Sequence, residues 1–221
     1  MDGTLTLSRQ RIDPSFAEWF LSFCQSNNVY LVSGSDYEKT LEQLGEEICN
    51  AVNGVYSCCG NAFYVKGELQ YQNDFELSAA QEKFMYDLVE ASAFPAKTGN
   101  HLEKRIGLVN LSVVGRNATW EQRQFYSGYD YALSERKNLA ELIERKFPEL
   151  QATLGGDTGL DIHLRGKDKS QIAEHIKPFT FFGDKVYPGG NDFTIASIAD
   201  NYYSVDDWQE TFEILKEYYN D

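Results

Sequence analysis

Two carboxylates late in the chain stand in a pattern that suits a metal ion. The stretch FFGDKVYPGGND carries Asp184 directly after an apolar run and Asp192 after a tight glycine turn. In parallel α/β sheets, ligands gather beyond the carboxyl ends of the strands. Two hard oxygen donors at that edge suit Mg²⁺, which takes carboxylates and keeps several waters. The same residue types also build ordinary surface turns, so the spacing alone leaves both interpretations open.

A serine-containing turn, VSGSDYEK, follows a short apolar run early in the chain. Ser35 and Glu38 have the spacing of a capping box, so the sequence predicts a helix over residues 36–49 with Ser35 as its cap. Hydroxyls and free backbone N–H groups at such a helix start can bind phosphate. Ser33 and Ser35 are therefore candidate phosphate ligands, although helix capping alone would also explain Ser35.

Arginines are concentrated in the middle of the chain, at Arg105, Arg116 and Arg123. Strand alternation places Arg116 on the same face as Asn110. A capping box that begins at Thr119 puts Arg123 in the first turn of a helix, where the helix dipole disfavours a cation unless an anion is near. Arginine forks bind phosphate with two parallel hydrogen bonds. The alternative, three solvated surface arginines, remains open on these residues alone.

The composition limits the class of partner. The chain has 221 residues and a net charge of −14, which argues against a grip on a nucleic-acid backbone. No apolar stretch approaches the roughly 20 residues that span a bilayer, and no signal peptide is evident, so we expect a cytoplasmic protein without membrane contact. The cysteines show no metal-binding spacing and are expected to be reduced thiols: Cys24, Cys49, Cys58 and Cys59.

Both ends of the chain read as parts of a parallel α/β sheet. The spacing of apolar residues predicts a helix over residues 12–25, followed by a strand at 29–32. The apolar run at 179–182 predicts a second strand that ends before a Gly-Asp pair. A strand, a small-residue turn and a capped helix in succession are typical of α/β folds.

The middle of the chain has a different pattern. VKGELQYQ predicts a hairpin around a Lys-Gly turn, and residues 108–116 alternate between apolar and polar side chains. Such a strand suits an antiparallel sheet with one face open to ligand or water. We therefore expect a discontinuous α/β core, at 1–69 and 167–221, with an α+β cap inserted at 70–166.

Taken in order, the motifs resemble one known family. DGTLT, SGSD.EK, N.S..GR, GG....D.....DK and FFGDK..PGGND occur in sequence over nearly the whole chain. This set is similar to the eukaryotic-type phosphomannomutases of the haloacid dehalogenase (HAD) superfamily. The resemblance implies a HAD-like Rossmannoid core with a parallel sheet and an inserted type IIB α+β cap with an antiparallel sheet.

The resemblance also implies roles for particular residues. Asp2 would be the general acid/base for the sugar oxygen, and Lys169 would balance the charge of the transferring phosphoryl group. Metal ligands are implied at Asp2, Asp184, Asn191 and Asp192. Contacts to the substrate are implied at Arg9, Ser33, Ser35, Arg105, Asn110, Arg116, Arg123 and Asp161.

The activity that the resemblance implies is the interconversion of mannose 6-phosphate and mannose 1-phosphate. The reaction would run through an aspartyl phosphate and a hexose bisphosphate, with Mg²⁺ as cofactor and hexose 1,6-bisphosphate as activator. It would belong to mannose metabolism and GDP-mannose biosynthesis, and the protein would form a homodimer through the cap. The competing interpretations are a HAD-type sugar-phosphate phosphatase and a catalytically dead sugar-phosphate binding protein.

The chain departs from the family pattern at two points. Gly159 stands where the family usually has Ser, which removes a hydroxyl contact and puts strict mannose specificity in doubt. The nucleophilic aspartate of the family would occupy the position immediately before Met1, at the end of a central strand. We expect an apolar strand and this aspartate upstream; loss of catalysis or a substitute nucleophile are the other readings.

Overall fold

The computed structural model describes residues 1–219, which divide into two compact units. The first unit contains Met1–Asn73, Asp168–Pro188 and the chain from Asp192 onward. The second contains Asp74–Lys167 together with the short segment Gly189–Asn191. The expected boundary between residues 69 and 70 lies inside a strand, Glu68–Gln72, all of which belongs to the first unit.

Helices and strands alternate along most of the described chain. The α-helices are α1 Pro14–Ser26, α2 Tyr37–Ala51, α3 Ala79–Ala91, α4 Trp120–Leu133, α5 Glu135–Lys146, α6 Ala173–Ile176, α7 Phe193–Ile198 and α8 Trp208–Tyr218. The strands are β1 Tyr30–Val32, β2 Gly54–Ser57, β3 Ala62–Val65, β4 Glu68–Gln72, β5 Leu102–Arg105, β6 Leu108–Leu111, β7 Leu150–Gly155, β8 Gly159–Leu164, β9 Thr180–Gly183 and β10 Asn201–Ser204. Short 3₁₀ helices lie at Cys58–Gly60 and Lys169–Ile172. Within residues 1–219, none of the helices has the length and apolar character needed to cross a bilayer.

The first unit contains two sheets. One has the strand order β1-β2-β3-β4, with β1 parallel to β2 and the remaining pairs antiparallel. The other is the parallel pair β9 and β10. Within residues 1–219, the second edge of β1 and the second edge of β9 pair with no strand. The predicted β3–β4 hairpin and the predicted strands at β1 and β9 are confirmed.

Helix α1 begins at Pro14, two residues after the predicted start. Asp13 caps it by accepting from the backbone N–H groups of Ser15 and Phe16, and Pro14 occupies the first position, where no N–H is needed. Its buried face carries Phe16 and Phe20, and Phe16 stacks against Trp208 of α8 at 5.8 Å between ring centroids. Each such buried side chain stabilises the fold by about 1.5–3 kcal/mol.

The predicted cap of α2 is wrong by one residue. Asp36, not Ser35, accepts from the backbone N–H of Lys39 at 2.8 Å. The carboxylate of Asp36 reaches the third N–H of the helix, so the helix starts at Tyr37 and Ser35 belongs to the preceding loop. This shift matters for function because it leaves the Ser35 side chain outside the helix cap.

The second unit is an antiparallel sheet with helices packed on one face. The strand order is β5-β6-β8-β7, and α3, α4 and α5 contribute to one buried cluster with the apolar face of the sheet. The predicted strand at 108–116 is shorter than expected: β6 ends at Leu111, all four of its residues are buried, and Arg116 lies beyond it. The register aligns one residue from each strand in a polar row: Glu103, Asn110, Asp161 and Thr153. The first unit combines parallel and antiparallel strand pairs and the second is wholly antiparallel, which agrees with the predicted fold class.

Candidate active site

The DGT loop at the start of the chain lies against the carboxylate that follows β9. Gly3 has a φ of +73°, and a Cβ built on it would lie 2.5 Å from Oδ2 of Asp184. Only glycine permits both this backbone conformation and this approach. The structure therefore brings the first motif of the chain and Asp184 together, although nearly the whole sequence separates them.

A buried ion pair lies beside Asp184. Lys169 Nζ donates to Asp192 Oδ1 at 2.6 Å, and the two side chains are 7% and 3% exposed. Burial favours the neutral amine, but the Asp192 carboxylate outweighs it and raises the pKa of Lys169. Burial likewise opposes the charge of Asp192, yet Lys169 holds the pKa of that carboxyl below its ordinary value. Both groups are therefore charged at neutral pH.

The Asp184 carboxyl has a different environment. Burial raises the pKa of Asp184, and the negative charge of Asp192 adds to this effect. A hard cation beside the two carboxylates would offset the repulsion between them, and Mg²⁺ is held by one or two carboxylates with waters completing its shell. No cluster of three or more His, Cys, Asp or Glu side chains able to hold a metal occurs in the described part of the chain. The two carboxylates are a donor set that fits Mg²⁺.

Asp2 is held by a residue that the sequence did not reveal. Gln43, buried on α2, donates from Nε2 to Asp2 Oδ1 at 2.6 Å. The backbone N–H of Arg9 donates to the same oxygen at 3.2 Å, while the Arg9 residue itself is exposed. A buried amide on an amphipathic helix carries no sequence signal of this role. The contact fixes the direction of the Asp2 carboxylate.

The serine loop after β1 is anchored to the 3₁₀ helix at Cys58–Gly60. The carbonyl of Ser33 accepts from the N–H of Cys59 at 2.8 Å, and that of Ser35 accepts from Cys58 at 2.8 Å. Ser33 Oγ also accepts from the N–H of Ser35 at 3.0 Å. The charge environment of Lys169 includes Cys59, so the anchor of this loop lies near the buried ion pair.

Asn191 directly precedes Asp192 in the chain but is grouped with the second unit. The segment Gly189–Asn191 clusters with the second unit, and the Gly189 carbonyl accepts from the N–H of Leu154 on β7 at 3.3 Å. Asp184 and Asp192 belong to the first unit. The structure groups the two carboxylates with Lys169, and the role of Asn191 as a metal ligand stays a prediction.

The second unit brings two of the predicted arginines together. Glu103 Oε2 accepts from Arg105 Nε at 3.0 Å and lies 3.1 Å from Nη2 of Arg116. Glu103 was not among the predicted site residues, although its spacing of two from Arg105 on a strand places both on one face. Arg123 lies on α4 in the turn that the Thr119 capping box begins, as predicted.

The polar row of the sheet contains a tight amide–carboxylate contact. Asn110 Nδ2 donates to Asp161 Oδ1 at 2.7 Å, and Asn110 Oδ1 is buried with no hydrogen-bond partner. A Cβ built on Gly159 would lie 2.5 Å from Asn110 Nδ2. The missing side chain at this position is what allows the observed position of the Asn110 amide. The unpaired acceptor is a candidate contact for a ligand hydroxyl.

Comparison with solved structures identifies the fold. The chain matches an HAD subclass IIB sugar phosphatase with a TM-score of 0.56 and 16% sequence identity, covering 99% of this chain and 96% of that one. It matches an N-terminally truncated Plasmodium falciparum IMP-nucleotidase with a TM-score of 0.63 and 17% identity, covering 97% and 67%. The protein therefore has the HAD fold with a cap domain.

Sequence comparison then identifies the family. Residues 16–221 match the model of the eukaryotic phosphomannomutase family. A phosphomannomutase of Dendrobium officinale is 32% identical over 206 residues, covering 88% of this chain and 82% of the relative. Phosphomannomutase 1 of Dictyostelium discoideum is 30% identical over 210 residues, covering 89% and 84%. The chain belongs to the eukaryotic phosphomannomutase family.

Proposed function

We propose that this protein is a phosphohexose mutase that interconverts mannose 6-phosphate and mannose 1-phosphate. The proposal rests on one observation: each of the two units has its own set of charged side chains. The first unit has carboxylates and a buried lysine, and the second has paired arginines on a polar sheet face. A mutase needs one phosphate bound for chemistry and another bound for holding, and these two sets of side chains suit those tasks.

In the first unit, each group has one task. Asp2, fixed by Gln43, exchanges a proton with the sugar oxygen. Asp184 and Asp192 would hold Mg²⁺, which supplies charge neutralisation for the transferring phosphoryl group. Lys169 adds a fixed positive charge. The hydroxyls of Ser33 and Ser35 hold phosphate oxygens.

The nucleophile of the proposal is an aspartate that directly precedes Met1. Two observations support it. The backbone nitrogen of Met1 is buried within electrostatic reach of Lys169, Asp192 and Asp184, so a residue attached there would enter the cluster. The second edges of β1 and β9 are also available to a strand that ends in this aspartate. Covalent transfer to a carboxylate splits the reaction into two easier steps.

In the second unit, the arginines hold the phosphate that does not react. Arg105 and Arg116 lie close together, and Arg123 contributes from α4. The unpaired oxygen of Asn110 and the carboxylate of Asp161 would accept hydrogen bonds from sugar hydroxyls. The proposal includes hexose 1,6-bisphosphate as activator, a cytoplasmic location and a role in GDP-mannose biosynthesis.

The binding half of the proposal is tested at Arg116. We expect Arg116→Ala to weaken the affinity for glucose 1,6-bisphosphate roughly tenfold to hundredfold, because hydrogen bonds to charged groups contribute about 1.5–3 kcal/mol. Arg145→Ala, at an exposed position in the last turn of α5, is the matched control. Calorimetric titration measures the affinity, and thermal unfolding without ligand measures the stability. Unchanged affinity in Arg116→Ala would contradict the assigned role.

The proposal also includes a homodimer through the cap. Trp120 and Tyr131, which lie on the same side of α4, are 70% and 92% exposed. Burying two large aromatic side chains of this kind is typical of subunit contacts. Light scattering after size-exclusion chromatography measures the mass in solution, and a monomer at working concentrations would contradict this part of the proposal.

A further inference from the structure

The two arginines on the sheet of the second unit already hold an anion that belongs to this chain. Oε2 of Glu103 accepts from Nε of Arg105 at 3.0 Å and also from its Nη2. The same oxygen lies 3.1 Å from Nη2 of Arg116. The three side chains, in the order named, are 32%, 15% and 20% exposed. One half-buried carboxylate oxygen therefore bridges two guanidinium groups that would otherwise repel each other.

The direction of this contact bears on phosphate binding. The Nε–Nη2 edge of a guanidinium is an edge through which arginine grips phosphate with two parallel hydrogen bonds. In Arg105 this edge is directed at Glu103, and Nη1 lies 3.9 Å from Asp161 Oδ1. A phosphate can make the same two-bond contact with that edge only by replacing the Glu103 carboxylate.

The charges of the cluster lead to the same conclusion. Arg105 and Arg116 are each positive, and the Glu103 carboxylate contacts both of them. Burial opposes the charge of Glu103, but the two guanidinium groups hold its pKa below the ordinary value, so it is ionised at neutral pH. A phosphate that arrives at the sheet therefore meets two arginines whose positive charge Glu103 already offsets in part.

A mutase has a use for such a balance. Its hexose bisphosphate must exchange the two phosphates between the reacting site and the holding site before a turnover is complete. A holding site that binds phosphate too tightly stabilises the bound ground state and slows this exchange. A carboxylate that can replace the phosphate on the arginines lowers the cost of release, because the guanidinium groups are never left without an anion.

We propose that Glu103 is an internal competitor for the phosphate held by Arg105 and Arg116. When no ligand is bound, the Glu103 carboxylate pairs with both arginines. The non-reacting phosphate displaces the carboxylate when the substrate binds, and the carboxylate returns when the phosphate leaves. The exchange makes and breaks only ion pairs and hydrogen bonds. The inference rests on the proposed function, because it requires the arginines to hold a phosphate. Glu103 sets affinity and release and takes no part in the transfer of the phosphoryl group.

The test measures the affinity for inorganic phosphate in Glu103→Gln. This change keeps the side-chain shape but removes one negative charge beside both arginines. We expect about tenfold tighter binding, because the phosphate then replaces a neutral amide and not a charged carboxylate on the arginines. Glu141→Gln is the matched control, since Glu141 is exposed on α5, which packs on the opposite face of the sheet. The affinity of Arg116→Ala for inorganic phosphate, compared with that of the wild type, shows how much of the binding depends on the arginines.

A kinetic measurement separates competition from mere support of the fold. In Glu103→Gln we expect KM and kcat to fall together, because the substrate is held more tightly and its phosphates exchange more slowly. A residue with only a structural role would raise KM when changed. Unchanged or weaker phosphate affinity in Glu103→Gln, with Arg116→Ala still impaired, would overturn this inference alone. Equal phosphate affinity in wild type, Glu103→Gln and Arg116→Ala would overturn the proposed holding site as well.

Discussion

At the scale of residues, the sequence predicted the groups of the first unit better than their partners. Asp184 and Asp192 are marked by a strand end and a glycine turn, and the structure brings them to one place beside Lys169. Gln43, which orients Asp2, could not be predicted, because its role depends on how α2 packs against the DGT loop. A side chain that acts through a tertiary contact has no local pattern.

The same limit applies to the second unit. The alternation of the strand places Arg105 and Glu103 on one face, and this much follows from the sequence. That a single oxygen of Glu103 reaches Arg116 as well depends on the path of the chain after β6. The sequence therefore predicted the arginine cluster as bare cations, whereas the structure has them bridged.

One prediction at this scale concerns Gly159. Gly159→Ser places a Cβ 2.5 Å from the position of Asn110 Nδ2 in the unaltered structure. Overpacking of this kind costs about 1–3 kcal/mol, so we expect lower stability and weaker sugar-phosphate binding. Gly128→Ala on α4, where a Cβ meets nothing within 4 Å, is the control and should be neutral or stabilising. Denaturant unfolding and ligand titration measure both effects; tighter binding in Gly159→Ser would contradict the account.

At the scale of elements, periodicity predicted which segments are helices and strands, while their ends depended on single side chains. The helix α2 was predicted at 36–49 and spans Tyr37–Ala51. Its start differs because both Ser35 and Asp36 are good capping residues, and only the loop conformation decides between them. The loop binds the carbonyl of Ser35 to the N–H of Cys58 and so leaves Asp36 to cap the helix.

The residue that caps α2 contributes to the stability of the fold. Asp36→Ala should lower the free energy of unfolding by about 0.5–2 kcal/mol, because the N–H of Lys39 loses its acceptor. Ser35→Ala should change it by less than about 0.5 kcal/mol. Urea unfolding of the two variants makes the comparison. A larger loss of stability in Ser35→Ala than in Asp36→Ala would show that the capping residue is misassigned here.

At the scale of the whole molecule, the order of motifs along the chain predicted an α/β unit interrupted by an α+β unit, and the structure has both. Composition could not supply this plan, because an acidic chain of ordinary hydrophobicity fits many folds. The change of pattern from buried runs to alternating strands did supply it. The assignment of Gly189–Asn191 to the second unit could not be foreseen, since it depends on a contact with β7 that is distant in sequence.

Following phosphate by ³¹P NMR tests whether the protein is a mutase. The protein, produced from its complete coding sequence, is given mannose 1-phosphate, Mg²⁺ and a small amount of hexose 1,6-bisphosphate. We predict conversion to mannose 6-phosphate, stimulation by the bisphosphate and little free phosphate. Turnover should be lost in Asp184→Asn but not in Asp74→Asn, an exposed control. Steady release of inorganic phosphate would indicate a phosphatase, and ligand binding without any turnover would indicate a binding protein; either result would contradict the claim.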